Sequence, residues 1–176
     1  MNDGIRLATQ TDRPDIEELV HAAYAHYVPR IGREPGPMLD DYAVLIEAAR
    51  VHVLERQGVI QGVLVLIPEQ NAMLLDNVAV ASRARGSGVG RQLLEFAEQA
   101  AAEAGYRSIR LYTNEAMTEN ITLYTRIGYV ETHRATEKGL RRVYMLKPIT
   151  PTGGEVLLAR PAIDESPTPP NSEARP

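Results

Sequence analysis

The sequence predicts an α/β fold of the α+β type, in which helices cover a mixed β-sheet. Three observations lead to this prediction. Strand-sized apolar runs recur along the chain, the longest over residues 63–67. Other segments repeat their apolar residues every three to four positions, as on one face of a helix. The elements follow the order β-α-α-β-β-β-α-β-α-β-β, and the 176 residues suffice for one such domain with its own core.

The first part of the chain predicts a strand, two helices and a β-hairpin. Apolar and polar residues alternate over residues 5–8, which predicts a strand. The helix-start signals Thr11, Asp12 and Pro14 predict a helix over about residues 13–28. A loop rich in proline and glycine follows over residues 29–37, and residues 39–49 predict the second helix. Residues 51–55 and 59–67 form a predicted hairpin, and residues 71–80 predict the next strand.

The second part of the chain completes the sheet. A predicted helix begins at Val89 and ends at Gly105, which suits a helix C-terminus. Residues 108–112 predict a strand, residues 118–127 a helix, and residues 129–132 and 140–146 a closing antiparallel pair. We place the domain at residues 1–149. Residues 150–176 predict a disordered tail, because six prolines lie within residues 151–176 and large apolar residues are few.

Composition argues against several classes of protein. The formal net charge of −4 lacks the basic excess of a nucleic-acid binder. The longest apolar run is too short to span a membrane, and the N-terminus lacks the pattern of a signal peptide, so we expect a cytoplasmic protein without membrane contacts. The absence of cysteine excludes disulfides and an acyl-cysteine intermediate. The histidines lack the spacing of metal ligands, and we expect no metal.

The segment from Arg85 to Arg91, Arg-Gly-Ser-Gly-Val-Gly-Arg, carries the strongest functional signal. It follows a predicted strand and opens a predicted helix. Its three glycines permit positive φ and close approach of backbone N–H groups to an anion, and the helix N-terminus adds partial positive charge. The segment therefore predicts a site for a phosphorylated cofactor. Its glycine spacing fits neither the nucleotide P-loop nor the Rossmann fingerprint.

Two motifs resemble the GNAT superfamily, the general-control-type N-acetyltransferases that use acetyl coenzyme A. Arg85-x-x-Gly88-x-Gly90 resembles the family's pyrophosphate loop, and residues 123–129, Leu-Tyr-Thr-Arg-Ile-Gly-Tyr, resemble its Leu-Tyr-x-x-x-Gly-Phe/Tyr signature. The two motifs occur in the family's order, about 35 residues apart. The resemblance implies a GNAT-like, mostly antiparallel central sheet flanked by helices, and acetyl coenzyme A as the cosubstrate.

The resemblance also implies a set of cofactor-binding residues. The glycine turn would hold the pyrophosphate, with neighbouring arginines, Arg83 among them, adding charge. Backbone groups of the preceding strand would pair with the pantetheine arm, and one N–H there would polarise the thioester carbonyl. Asn120 lies one helical turn before Tyr124 and would bond the same arm, although Met117 replaces the asparagine that the family often has. The full set is Val78, Ala79, Val80, Arg85, Gly86, Ser87, Gly88, Val89, Gly90, Arg91, Asn120 and Tyr124.

Tyr124 and Asp76 are the catalytic candidates. Tyr124 matches the family's proton-donor tyrosine, and a phenol with a pKa of about 10 stays protonated at neutral pH, ready to protonate a departing thiolate. The alternative is a tyrosine that only packs. Asp76 lies on the strand before the glycine turn, where some family members have a carboxylate that removes the amine proton through water. Asn77 beside it is expected to point to the opposite face.

The hypothesis is an acetyl-coenzyme-A-dependent N-acetyltransferase that acts on a primary amine of a small molecule or protein, by direct attack in a ternary complex. Near the acceptor entrance, acidic side chains either attract a cationic amine or serve as helix caps and solvated surface. Two tyrosines either line the same entrance or simply pack. The alternative function is a non-catalytic acyl-coenzyme-A sensor. Self-association as a homodimer stays open. The entrance residues are Tyr24, Tyr27, Glu34, Asp40 and Asp41.

Overall fold

The computed structural model describes residues 3–152. Most of the predicted tail, residues 153–176, lies outside the described residues, so the proposed domain boundary stays a prediction. None of the helices within residues 3–152 is long and apolar enough to cross a membrane.

The elements follow the predicted order, with additional short helices between the first and second strands. The strands are β1 (Gly4–Leu7), β2 (Val51–Arg56), β3 (Val59–Pro68), β4 (Met73–Val80), β5 (Ser108–Asn114), β6 (Val130–Glu137) and β7 (Leu140–Pro148). The α-helices are α1 (Arg13–Tyr24), α2 (Val28–Ile31), α3 (Gly36–Leu39), α4 (Tyr42–Glu47), α5 (Val89–Glu103) and α6 (Thr118–Arg126).

The strands form one sheet in the order β1-β2-β3-β4-β5-β7-β6. Every neighbouring pair is antiparallel except β4 and β5, which run parallel. This confirms the predicted mixed, mostly antiparallel α+β fold. The parallel pair is short, because only Met73 and Leu74 of β4 pair with Ile109 and Arg110 of β5. Beyond these residues the two central strands separate, and the sheet is open at its middle.

A layer of helices packs on each face of the sheet. On one face α5 and α6 cover a core in which Leu93 and Ala97 of α5 are fully buried, and on the other α1 and α4 cover a core around Ile16. Full burial of a leucine or isoleucine side chain, such as Leu93 or Ile16, contributes about 1.5–3 kcal/mol. Gly62 of β3 sets how closely α5 approaches, because an added Cβ there would lie 2.7 Å from the Leu93 Cδ1 atom.

Two helix boundaries differ from the predicted ones. The first helix ends at Tyr24, and a 3-10 turn and the short α2 replace its predicted last turn. Pro29 explains the break, since proline has no N–H to donate to the preceding helical turn. The second predicted helix, residues 39–49, begins only at Tyr42, because the Asp41 Oδ1 atom accepts the Val44 N–H at 3.2 Å and caps the helix there. Asp41 is therefore a helix cap.

Candidate active site

Two cavities open where β4 and β5 separate. The helix-side cavity, of about 660 Å³, lies against α5 and α6, and its lining includes Val80, Gly90 and Leu94. The loop-side cavity, of about 340 Å³, lies under the segment of residues 32–40. Val78, Asn120 and Tyr124 line both cavities. The two cavities therefore meet at these three side chains.

The glycine turn presents unused hydrogen-bond donors at the start of α5. Gly86 and Gly88 adopt φ values of 78° and 85°, which glycine reaches without steric cost. The first backbone bond of α5 runs from the Gln92 N–H to the Gly88 carbonyl at 3.0 Å. The N–H groups of residues 88–91 make no hydrogen bond to any other residue within 3–152. These N–H groups and the positive end of the helix dipole form a setting for an anion.

The side chains around the turn differ in what they contact. The Ser87 Oγ atom donates to the Ala84 carbonyl at 2.5 Å and so supports the turn itself. The Arg91 Nε atom lies 2.8 Å from a Glu95 carboxylate oxygen, on the exposed surface of α5. Arg83 donates to the Ile60 carbonyl at 3.1 Å, so its guanidinium is bound to the hairpin. Arg85 is exposed and makes no ion pair with the described residues.

The register of β4 determines which of its backbone groups face the open side. The Ala81 N–H donates to the Gln61 carbonyl at 2.9 Å. Because hydrogen-bonded pairs alternate along an antiparallel ladder, Ala79 also bonds to β3, whereas Val78 and Val80 turn their N–H and C=O groups away from β3. Strand β5 has already separated at this point, so the backbone of Val78 and Val80 has no ladder partner on that side.

Tyr124 lies at the junction of the cavities. Its side chain is 6% exposed and packs edge-on against Tyr129, with ring centroids 5.6 Å apart. Burial raises the pKa of its hydroxyl well above the ordinary value, so the group stays protonated. Asn120 lies one turn earlier on the same face of α6, as expected, and its Nδ2 atom lies 3.6 Å from the Sδ atom of the buried Met117.

A β-bulge places Asp76 and Asn77 on the same side of the sheet. Leu75 pairs with Leu66 and Asn77 pairs with Val65, so Asp76 is the extra residue in β4. The alternation of side chains breaks at a bulge, and both Asp76 and Asn77 line the loop-side cavity. The prediction that Asn77 points away was therefore wrong. The alternation of side chains along a single strand cannot reveal a bulge, because a bulge is an extra residue relative to the partner strand.

Asp76 is a partly buried carboxylate with a hydroxyl partner. The Tyr112 hydroxyl lies 3.2 Å from its Oδ1 atom and stabilises the charged form. Burial has the larger effect, and the pKa of Asp76 is raised above its ordinary value. Asp40 lines the same cavity, and its pKa is raised to about 6 by burial and by the negative charge of Asp76. Asp40 and Asp76 therefore repel one another in the loop-side cavity, which Glu34 also lines.

Residues 47–131 match the family model described as the acetyltransferase (GNAT) domain. These residues form a GNAT acetyltransferase domain. This confirms the resemblance drawn from the two motifs, and the matched range includes the strand, the glycine turn, Tyr124 and the Gly-Tyr pair after α6. No curated protein sequence matches the chain at a significant level.

Solved structures share the GNAT fold over nearly their whole length. The PaiA N-acetyltransferase from Thermoplasma acidophilum, in complex with coenzyme A, has a TM-score of 0.68 at 17% identity, covering 84% of this chain and 99% of that one. The ribosomal-protein-S18-alanine N-acetyltransferase from Escherichia coli has a TM-score of 0.67 at 21% identity, covering 87% and 97%. The ribosomal-protein-alanine N-acetyltransferase from Brucella melitensis has a TM-score of 0.65 at 24% identity, covering 82% and 99%.

Several residues of this GNAT domain's cavities were missed by sequence reasoning. In the loop-side cavity, the Arg142 Cζ atom lies 4.4 Å from the centroid of the Tyr112 ring. In the helix-side cavity, the Lys147 Nζ atom lies 2.6 Å from a Glu98 carboxylate oxygen. Each of these pairs joins residues far apart in sequence, and no local motif marks them. No group of three or more potential metal ligands occurs within residues 3–152.

Proposed function

We propose that this GNAT domain is an acetyl-coenzyme-A-dependent N-acetyltransferase that acetylates a primary amine by direct attack in a ternary complex. The observation that carries the proposal is the meeting of two cavities at Tyr124. One cavity begins at a helix N-terminus suited to phosphate, and the other contains carboxylates suited to an amine. Two substrates bound from opposite sides would bring their reacting groups together beside the same tyrosine.

The helix-side cavity fits coenzyme A, and a GNAT neighbour is a complex with that molecule. The free N–H groups of residues 88–91 would donate to the pyrophosphate, and Arg85 and Arg91 would add charge. The outward backbone groups of Val78 and Val80, with the Asn120 amide, would hold the pantetheine arm. When bound, acetyl coenzyme A supplies a thioester that is activated toward amines.

Tyr124 is the proposed general acid. Its hydroxyl is protonated across the physiological pH range, and its side chain reaches both cavities. A phenol in this position can donate a hydrogen bond or a proton to a departing sulfur. No cysteine is present to carry the acetyl group, which supports direct transfer to the amine.

Asp76 is the proposed general base. An amine arrives mainly as an ammonium ion and must lose a proton before it can attack. The Asp76 carboxylate faces the loop-side cavity, and its raised pKa makes it a stronger base than an exposed carboxylate. Asp40 adds a second negative charge that favours binding of the ammonium form.

The function is tested by two measurements on the full chain. Calorimetry should detect coenzyme A binding, and a single-turnover assay should detect thiol release when acetyl coenzyme A and a primary amine are both present. Thiol release that depends on the amine supports the transferase. Tight binding with no transfer to any amine tested would favour a non-catalytic acyl-coenzyme-A sensor instead.

A further inference from the structure

We propose that the acetyl acceptor is a small amine and not a polypeptide, because the segment of residues 32–40 is fastened across the loop-side cavity at two points. We call this segment the acceptor loop. The inference rests on the proposed N-acetyltransferase function and specifies the substrate class of that same site.

The inner fastening joins the acceptor loop to β4 through hydrogen bonds made by the buried side chains of Tyr42 and Asn77. The Tyr42 hydroxyl donates to the Pro37 carbonyl at 2.6 Å, and the Asn77 Nδ2 atom donates to the Tyr42 hydroxyl at 3.1 Å. The Tyr24 hydroxyl donates to the Asn77 Oδ1 atom at 2.7 Å. Asn77 and Tyr42 are each 2% exposed. Buried and mutually satisfied groups of this kind are costly to separate, so this part of the loop is held against the strand.

The outer fastening joins the acceptor loop to the turn between β6 and β7. The Arg33 Nη1 atom donates to the Lys138 carbonyl at 2.6 Å. Gly139 permits this approach, because an added Cβ would lie 2.9 Å from the same Nη1 atom. Beside the loop, the Arg30 guanidinium of α2 lies 2.7 Å from a Glu119 carboxylate oxygen of α6. The loop is therefore bound to the strand on one side and to the hairpin on the other.

The cavity beneath these contacts suits a small molecule. Its volume of about 340 Å³ lies within the range of small-ligand sites, about 300–1,000 Å³. Arg33 of the loop and Lys138 of the hairpin both line it, so their contact bridges the cavity from one wall to the other. A polypeptide acceptor needs an open groove through which the rest of its chain can leave. A compact ammonium compound needs only the carboxylates of Asp76 and Asp40 and the apolar residues that also line the cavity, such as Leu75 and Leu111.

The first experiment compares acceptor classes with the full-length protein. Single-turnover rates with acetyl coenzyme A are measured for n-butylamine, 1,4-diaminobutane, glycine and lysine, and for hexapeptides with free N-terminal alanine, serine or glycine. We expect the single-turnover rate of at least one small amine to exceed that of every peptide about 10-fold or more. A peptide that equals or exceeds all the small amines overturns the inference and leaves the transferase function intact. Failure of every acceptor overturns both.

The second experiment removes the outer fastening, the hydrogen bond from Arg33 to the Lys138 carbonyl. Arg33→Ala removes a hydrogen bond from a charged donor, and we expect the preference for the small amine over the peptides to fall roughly 10-fold, the effect of one such bond. Affinity for coenzyme A should not change. Arg107→Ala, an exposed arginine before β5, is the matched control and should keep the wild-type preference. Gly139→Ala should act in the same direction as Arg33→Ala. An unchanged preference in both folded variants would overturn the inference.

Discussion

The helix-side and loop-side cavities are built in different ways. The helix-side cavity takes its anion-binding groups from one continuous stretch, the end of β4, the glycine turn and the start of α5, and much of it is backbone. The loop-side cavity is assembled from residues of α1, the acceptor loop, β4, β5, α6 and the β6–β7 hairpin. A continuous stretch leaves a motif in the sequence, whereas an assembled pocket does not. The cofactor is therefore easier to infer than the acceptor.

Tyr124→Phe should have the largest effect, because Tyr124 belongs to both cavities. The change removes one oxygen and keeps the ring. If the hydroxyl is the general acid, the single-turnover rate should fall roughly 10²-fold or more, while the affinities for both substrates change little. Tyr129→Phe, which removes a buried hydroxyl without a partner within residues 3–152, is the matched control. A Tyr124→Phe rate close to that of the wild type would remove this residue from the mechanism.

Gly88→Glu should affect the helix-side cavity alone. A side chain at φ 85° is strained by about 1–2 kcal/mol, and a carboxylate at a phosphate site adds repulsion. We expect coenzyme A affinity to fall at least about 10-fold, measured by calorimetry. Gly105→Glu is the control, because Gly105 has nearly the same φ, 86°, at the other end of α5. Equal affinities in the two folded variants would contradict the proposed pyrophosphate site.

Asn77→Leu should affect the loop-side cavity alone. It removes the acceptor of the Tyr24 hydroxyl and the donor to Tyr42. The Tyr24 hydroxyl keeps its 3.2 Å contact with the Val78 carbonyl, so we expect a loss of only about 1–2 kcal/mol in the free energy of unfolding. The KM for the amine should rise, and coenzyme A affinity should stay the same. The exposed Asn71→Leu serves as control. A change in coenzyme A affinity would show that the two cavities are not separable in this way.

Features formed by one continuous stretch of chain could be predicted from the sequence, whereas features assembled from distant residues could not. The order of helices and strands along the chain, the glycine turn and the shared face of Asn120 and Tyr124 depend on local periodicity and spacing. The structure has all three. The bulge at Asp76 depends on how β4 pairs with β3, and the Arg33 contact joins residues 105 positions apart. Such features arise from tertiary pairing, which leaves no period in one segment of chain.

Asp40→Asn should give the smallest effect and tests the charge of the loop-side cavity. The pKa of Asp40 is raised to about 6 from the ordinary 3.8. Between these values the folded protein binds more protons than the unfolded chain, so the stability contributed by this group is lost as pH rises through about 6. Asparagine stays neutral at every pH. We therefore expect Asp40→Asn to be more stable than the wild type at pH 7 by about 1 kcal/mol, after solvent screening of a partly exposed group.

Denaturant unfolding at pH 4 and at pH 7 checks this prediction for Asp40. The gain from Asp40→Asn should be small at pH 4, where the wild-type carboxyl is also neutral, and should appear at pH 7. Asp15→Asn, at an exposed position in the first turn of α1, is the control and should show no such pH-dependent gain. In the enzyme assay, Asp40→Asn should raise the KM for a cationic amine, because one of the carboxylates that line the loop-side cavity is lost. If Asp40→Asn is less stable than the wild type at pH 7, the Asp40 carboxylate is held by a favourable partner. The repulsion between Asp40 and Asp76, which a bound ammonium group would relieve, is then absent from the loop-side cavity.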